Sequence, residues 1–299
     1  MEKFSRFLSG IFLGILSINS IACDPECVVR PEDNKVTFST LGQYGRFGNQ
    51  VYQYIFIRGY AKRHHLEFET RGWIGKQIYG FNDPEVTVNY CPVPESDEVL
   101  RSYAGLSEKR YSGVDFTGVF LGNTSYHRWN REEILKLFQP LPEVKAQLQP
   151  GLDKLRQHKT VIGIHIRRGD FVWIGKPPFN ISPTTWYVNW LKEHWNKLED
   201  PVVFLASDSL KEILPDFAEF HPETSESLGI KLNIEGADFY SDHYLLSNAD
   251  IMLLSNSTFS TSAALLNQVA TDFMRPDFSA KKLVHFDPWS TYGFEFDNQ

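Results

Sequence analysis

The stretch Val161 to Ile166 constrains this chain more than any other, because it is a β-branched run, uncharged until His165, that then breaks into Arg167-Arg168-Gly169-Asp170. An apolar run without alternation reads as a strand buried on both faces, and such strands belong to parallel sheets, whose crossovers are helices. The following sequence supplies both. Thr184 to Leu198 reads as a helix, Val202 to Ala206 as a strand ending at Ser207-Asp208, and Ser209 to Phe220 as a helix. Ile230 to Ile234 is expected to be a short strand, Asp242 to Asn248 a helix, and Ile251 to Leu254 a further strand. Phe259 to Gln268 reads as a helix and Thr271 to Arg275 as a last strand. This alternation predicts an α/β fold with a doubly wound sheet.

The first half opens in the same way. Val36 to Thr40 reads as a strand, Gly42 to Gly48 as a glycine-rich turn, and Asn49 to His64 as a helix with Val51, Tyr54, Ile55, Ile57 and Ala61 at helical spacing. Residues 66 to 130 carry weaker signals, with Gly, Pro and short aromatic runs such as Val114 to Leu121. Arg131 to Gln157 reads as helix, broken at Pro140, Pro142 and Pro150, and Gln149-Pro150-Gly151 is strong enough punctuation to place a domain boundary near 150–160. The expected division is a leader over 1–22, a first domain over 23–157 and a second domain over 158–299.

In the leader, Lys3 and Arg6 precede the apolar stretch Phe7 to Ala22, about 16 residues, short of the roughly 20 that span a bilayer. Ser20-Ile21-Ala22 suits signal peptidase, so the segment is either a cleaved signal peptide or a short uncleaved anchor. Either makes the protein exported or membrane-associated: the secretory pathway or Golgi in a eukaryote, the envelope in a bacterium. An exported chain favours one disulfide between Cys91 and Cys23 or Cys27. Asn123, Asn180 and Asn256 begin Asn-x-Ser/Thr triplets.

A net charge of −7 with no basic stripe argues against nucleic acid as a partner. Aromatic residues make up 14% of the chain; most belong in the core, and exposed ones suit stacking on sugar rings or bases.

In an open α/β sheet, ligands sit beyond the carboxyl ends of the strands. Polar clusters fall there: His165-Arg168-Asp170, Ser207-Asp208, Ser255 to Ser260, and Arg46 to Gln50 in the first half. Two adjacent arginines on a continuing strand point to opposite sides, so one faces the cleft and the other braces the structure. A guanidinium grips phosphate bidentately, and Asp170 suits holding one in place. Ser255-Asn256-Ser257-Thr258 precedes a helix, where it either caps the helix or frames a phosphate site at the helix N-terminus. Asp208 reads either as a partner for guanine or ribose or as a helix cap. Asp-x-Asp, His-Glu-x-x-His, Gly-x-Ser-x-Gly and the Walker sequence are all missing from the chain. The lack of Asp-x-Asp suggests a leaving diphosphate neutralised by arginines and helix dipoles instead of a metal ion.

Gly45-Arg46-Phe47-Gly48-Asn49-Gln50, His165-Ile166-Arg167-Arg168-Gly169-Asp170, Phe204-Leu205-Ala206-Ser207-Asp208 and Ser255-Asn256-Ser257-Thr258-Phe259-Ser260 occur in the order seen in α-1,2-fucosyltransferases, which the chain resembles from about residue 36 to 270. The set is also similar to the wider superfamily of α-1,6- and protein O-fucosyltransferases. The resemblance implies a GT-B fold of two Rossmann-like domains facing a cleft, with GDP-fucose as donor, a glycan hydroxyl (galactose O2) as acceptor, inversion at the anomeric carbon, and no metal or other cofactor. It implies that Arg167 or Arg168 binds the diphosphate, that His165 and Asp208 help hold the nucleotide, and that Ser257, Thr258 and Phe259, with Asn256, line its phosphate or guanine side. It sets Arg46 and Asn49 facing the reacting sugar. Arg168, Asn49 and Asp170 stand as catalytic candidates. Where the α-1,2 branch continues with Trp-Trp, this chain has Thr261-Ser262-Ala263-Ala264. The rival readings are a different nucleotide-sugar donor or a protein acceptor on the same fold, or a non-catalytic glycan-binding protein.

Overall fold

The computed structural model describes residues 27–175 and 179–292. In chain order the first half contains β1 (Lys35–Phe38), α1 (Phe47–His64), β2 (Glu67–Thr70), α2 (Gly75–Tyr79), β3 (Pro92–Pro94), α3 (Asp97–Ala104), β4 (Val114–Thr117), a 3-10 turn (Thr124–Asn130), α4 (Arg131–Leu137) and α5 (Pro142–Leu155). The second half contains β5 (Thr160–Ile166), α6 (Phe171–Ile174), α7 (Thr184–His194), β6 (Pro201–Ser207), α8 (Leu210–Ile213), α9 (Tyr240–Leu246), β7 (Ile251–Leu253), α10 (Thr258–Leu266), β8 (Asp272–Asp277) and β9 (Lys282–His285).

Each half forms its own sheet. The first has the order β2-β1-β4-β3 and is parallel throughout; the second has the order β6-β5-β7-β8-β9, with β9 antiparallel. In both, the chain winds to one side of the first strand and then crosses to the other, so a topological switch lies between β1 and β4 and again between β5 and β7. The crevice beyond such a switch is where ligands of these sheets bind.

Burial explains the strands. β5 is buried from Val161 to Ile166 and pairs on both sides, as its unbroken apolar run requires. Outward of the second sheet, Ile164, Tyr187, Trp190, Leu205 and Phe217 form a separate core with α7 and the 3-10 stretch Leu214–Phe220. The inward face is continuous with the first half: one cluster runs from Phe38, Tyr54 and Phe56 through Leu148 and Tyr240 to Leu246 and Leu265. Burying each such side chain contributes about 1.5–3 kcal/mol. No gap in apolar packing therefore separates the halves.

Several expectations fail for physical reasons. Pro150 does not end its helix; α5 runs through it to Leu155. Leu148, Leu152 and Leu155 are all buried, and the packing of that face outweighs the one backbone hydrogen bond a proline removes. The expected strand at Ile230–Ile234 is irregular; Ile230 instead packs on Gly151 of α5, and the edge of β6 is met by an isolated bridge from Phe204 to Glu223. Ser209 to Phe220 divides into α8 and a 3-10 stretch at Leu214-Pro215. The terminal hairpin strand β9 follows the last expected strand.

The chain then returns to the first half. Thr124 donates from its amide to the Thr291 carbonyl (2.8 Å), and Arg128 Nε donates to the Trp289 carbonyl (2.7 Å). Cys27 and Cys91 form a disulfide across 64 residues, tying the start of the described chain to β3. Among the described residues no helix is long and apolar enough to cross a membrane; the leader at 1–22 and Cys23 lie outside them.

Candidate active site

The charged end of β5 is the centre of the site. Its two arginines lie just past the last strand residue, Ile166, at the entry to the turn at Gly169-Asp170. Arg167 turns inward, toward the first half, where its guanidinium pairs with both Asp170 and Asp208 and lies over the Phe171 ring at 5.3 Å. Arg168 turns outward; its backbone N–H donates to Asp208 Oδ1 (2.8 Å), and its guanidinium donates to the Arg167 carbonyl (3.2 Å). Burial lowers the pKa of Arg168, opposed first by Tyr187 and then by the carboxylates of Asp208, Asp216 and Glu212. Gly169 makes the turn possible: its φ is +38°, and a Cβ there would stand 2.2 Å from Asp208 Oδ2.

Arg46 reaches the same carboxylates from the first half, at 3.8 Å from Asp170 and 3.9 Å from Asp208. It is largely solvent-facing, whereas the Arg167 side chain is 11% exposed. The pair Asp170 and Asp208 is thus bracketed by a fixed arginine beneath and an open one above.

Helix ends add to this field. Gly48, in the first turn of α1, lies against the backbone of Thr258 and Phe259 in the first turn of α10; a Cβ on Gly48 would be 2.4 Å from the Thr258 carbonyl carbon. Neither helix has an acidic residue in its first turn. The partial positive charges of the two N-termini are therefore set side by side without a local acid to cancel them. Ser257 caps α10, accepting from the Phe259 N–H at 3.3 Å. Asn49 folds back onto Gly45, whose φ of +72° and lack of a Cβ leave room for it.

His165 lies beneath the site. It is buried, and its Nδ1 meets Ser255 Oγ (3.0 Å) and Ser260 Oγ (2.5 Å), while Ser255 Oγ accepts from the Arg167 N–H (3.2 Å). Burial, then the charge of Arg167 and the His243 ring, lowers its pKa to about 3, so the ring is neutral. It ties the end of β5 to the start of α10. Asn256, Ser257 and Thr258 are nearly buried in that seam, and Phe259 packs on the His165 ring at 4.9 Å.

Of the residues singled out in sequence, Arg46, Arg167, Arg168, Asp170 and Asp208 form one charged cluster. His165, Asn256, Ser257, Thr258 and Phe259 form the seam supporting it, and Asn49 sits at its first-half edge. Sequence reasoning missed the partners that lock the halves together, Thr258 for Gly48 and the rings of Phe239 (4.8 Å) and His243 (5.0 Å) for Phe47, and, within the second half, the bond of Ser260 to His165. Gly48 and Ser260 stood inside the motifs, but their partners are distant in sequence. Among the described residues no group of three or more His, Cys, Asp or Glu is placed to hold a metal ion.

Two facing α/β sheets, with their switch points opening on a shared charged crevice, define a glycosyltransferase of the GT-B type. The comparisons agree. The fucosyltransferase NodZ from Bradyrhizobium superposes with a TM-score of 0.54 at 13% identity, over 86% of this chain and 99% of that one. A family model for glycosyl transferase family 11 matches residues 99–280, and the chain belongs to that family. An α-1,2-colitosyltransferase of Escherichia coli is 26% identical over 283 residues, 82% of this chain and 93% of that protein. Galactoside α-(1,2)-fucosyltransferase 2 of Mus musculus is 29% identical over 163 residues, covering 49% of this chain and 43% of its own length.

Proposed function

We propose that this glycosyltransferase moves L-fucose from GDP-fucose to O2 of a galactoside, with inversion and without a metal ion. One observation carries the reading: Arg46 from the first half and Arg167 from the second converge on one pair of carboxylates where two helix N-termini abut. The arginine donors left over from those carboxylates, with the two helix ends, support a site for the diphosphate. Asp170 and Asp208 hold Arg167 in place, and its remaining donors and those of Arg46 grip the diphosphate.

The acceptor oxygen attacks the anomeric carbon as the bond to the β-phosphate oxygen breaks. Positive charge develops on the sugar ring and negative charge on the leaving GDP. A donor fixed on that developing charge supplies about 3 kcal/mol of transition-state stabilisation. Arg167 is assigned this role, because it faces the crevice; Arg168 supports it from the outward side. Asn49 orients the acceptor hydroxyl. The family's α-1,2 relatives support the linkage, and NodZ crystals with GDP and with GDP-fucose support a guanosine nucleotide. The Cys27–Cys91 disulfide supports export to an oxidising compartment, with membrane association through the leader.

The colitosyltransferase favours a second reading in which colitose is the transferred sugar. Thermal protection by GDP, UDP and ADP tests the nucleotide, since a bound ligand raises the melting temperature. GDP is expected to protect most; stronger protection by UDP would overturn the fucose reading. Transfer assays on a glycan array with GDP-fucose and GDP-colitose then separate the two sugars.

A further inference from the structure

Aromatic side chains in this molecule are overwhelmingly interior. Among the described residues the exposed ones are Tyr44 (46%), Trp173 (88%) and Tyr292 (60%). Two of these stand on the two segments that meet at the crevice. Trp173 lies in α6, the turn that follows Asp170, and its N–H donates to the Asp170 carbonyl at 3.1 Å. The same turn places Phe171 inward beneath Arg167 and turns Trp173 out, beside the half-exposed Val172. Tyr44 stands two residues before Arg46, and its carbonyl accepts from the fully buried side chain of Gln53 at 3.3 Å. The Arg46–Asp170 contact joins the two segments across the crevice.

A tryptophan left this open forgoes the gain of burying one of the largest apolar surfaces a side chain has, and an exposed apolar patch beside a polar crevice marks a binding surface. We propose that Trp173 and Tyr44 form the platform on which the acceptor's sugar ring stacks. The inference rests on the galactoside reading above. Galactose fits it chemically: one ring face presents a patch of C–H bonds that packs on an indole, and stacking by that face leaves O2 free at the ring edge. Trp173 follows Asp170 by three residues and Tyr44 precedes Arg46 by two, and the Arg46–Asp170 contact brings those segments together at 3.8 Å.

The test uses the whole protein, fluorescently labelled, on an array of galactoside-terminated glycans, with wild type, Trp173→Ala, Trp173→Phe and Tyr44→Ala. Trp173→Ala is expected to weaken glycan binding on the order of tenfold, and Tyr44→Ala a few-fold, whereas Trp173→Phe keeps most of it. With the best glycan as acceptor, KM is expected to rise in the same order. Protection of each variant by GDP is expected to match wild type. Equal glycan binding by wild type and Trp173→Ala overturns the platform, as does a wild type that binds no galactoside. Loss of vesicle binding in Trp173→Ala, with glycan binding kept, assigns the ring to a lipid surface and overturns it as well. Loss of GDP protection in Trp173→Ala would make the residue structural. Failure of GDP to protect wild type overturns the donor reading instead, and the array result is read independently of it.

Discussion

The two sheets solve the same topological problem with different materials. The second is aliphatic, and its β5 and β6 each run for seven residues and pair along their whole length. The first has strands of three or four residues and buries charge within them. Asp115 of β4 accepts from Thr37 Oγ1 (2.6 Å), the Ser39 N–H (2.8 Å) and Ser39 Oγ (2.7 Å), and Glu69 of β2 pairs with Lys35. Its core is aromatic, with Phe56 stacked on Phe120 at 3.7 Å, and a disulfide closes it. The second sheet has a core of its own on its outward face and spends its strand ends on charge. The first is held by a staple, and gives the site one glycine loop and Asn49.

If that contrast is right, lesions of the second half should strike transfer and lesions of the first should strike stability. The largest effect is expected from Arg167→Ala: a loss of about 10²–10³ in kcat/KM, together with a lower melting temperature because Asp170 and Asp208 lose their shared partner. Arg168→Ala should lose less, on the order of tenfold; a greater loss there than at Arg167 would reverse the assignment of the pair. Cys27→Ser should lower stability by about 2–4 kcal/mol in denaturant unfolding while the folded fraction keeps its turnover. Gly48→Ala probes the seam rather than either half. Its methyl group meets the Thr258 backbone, so a cost of about 1–3 kcal/mol is expected, together with weaker protection by GDP. Full activity and stability in that variant would mean that the halves are not locked there.

A pH effect spans both halves. His127 in the first half and His165 and His243 in the second all have pKa values lowered to about 3, in each case first by burial. A group whose folded pKa lies below its unfolded value stabilises the fold above the unfolded pKa, and that contribution is lost as the pH falls. Stability should therefore decline from about pH 6.5 toward 3, each histidine adding about 1.4 kcal/mol per pH unit. Replacing any one of them by Gln should flatten the slope in a pH series of urea melts; an unchanged slope would mean that the ring is already charged.

The same contrast explains what could be read in the sequence. Val161 to Ile166 declared its strand because every residue in it is buried. The short strands of the first half carry Lys, Glu, Asp and Pro, and their pairing depends on partners such as Asp115 and Ser39 that are distant in the chain. The polar ends at 165–170 and 255–260 were legible as chemistry. Which way each arginine turns was not, because the direction is set by Asp208, forty residues on, and by Arg46 in the other half.

The return of the chain to its starting half has a consequence for biosynthesis. Thr124 exchanges hydrogen bonds with Thr291, 167 residues later. At roughly 5–20 residues per second, the ribosome takes about 8–33 s to make the intervening stretch. Through that interval the first half, already the one with the shorter strands, waits with its Thr124–Asn130 turn unfinished. Its own closing contacts are translated 167 residues later, so nascent-chain quality control meets this half incomplete throughout that interval.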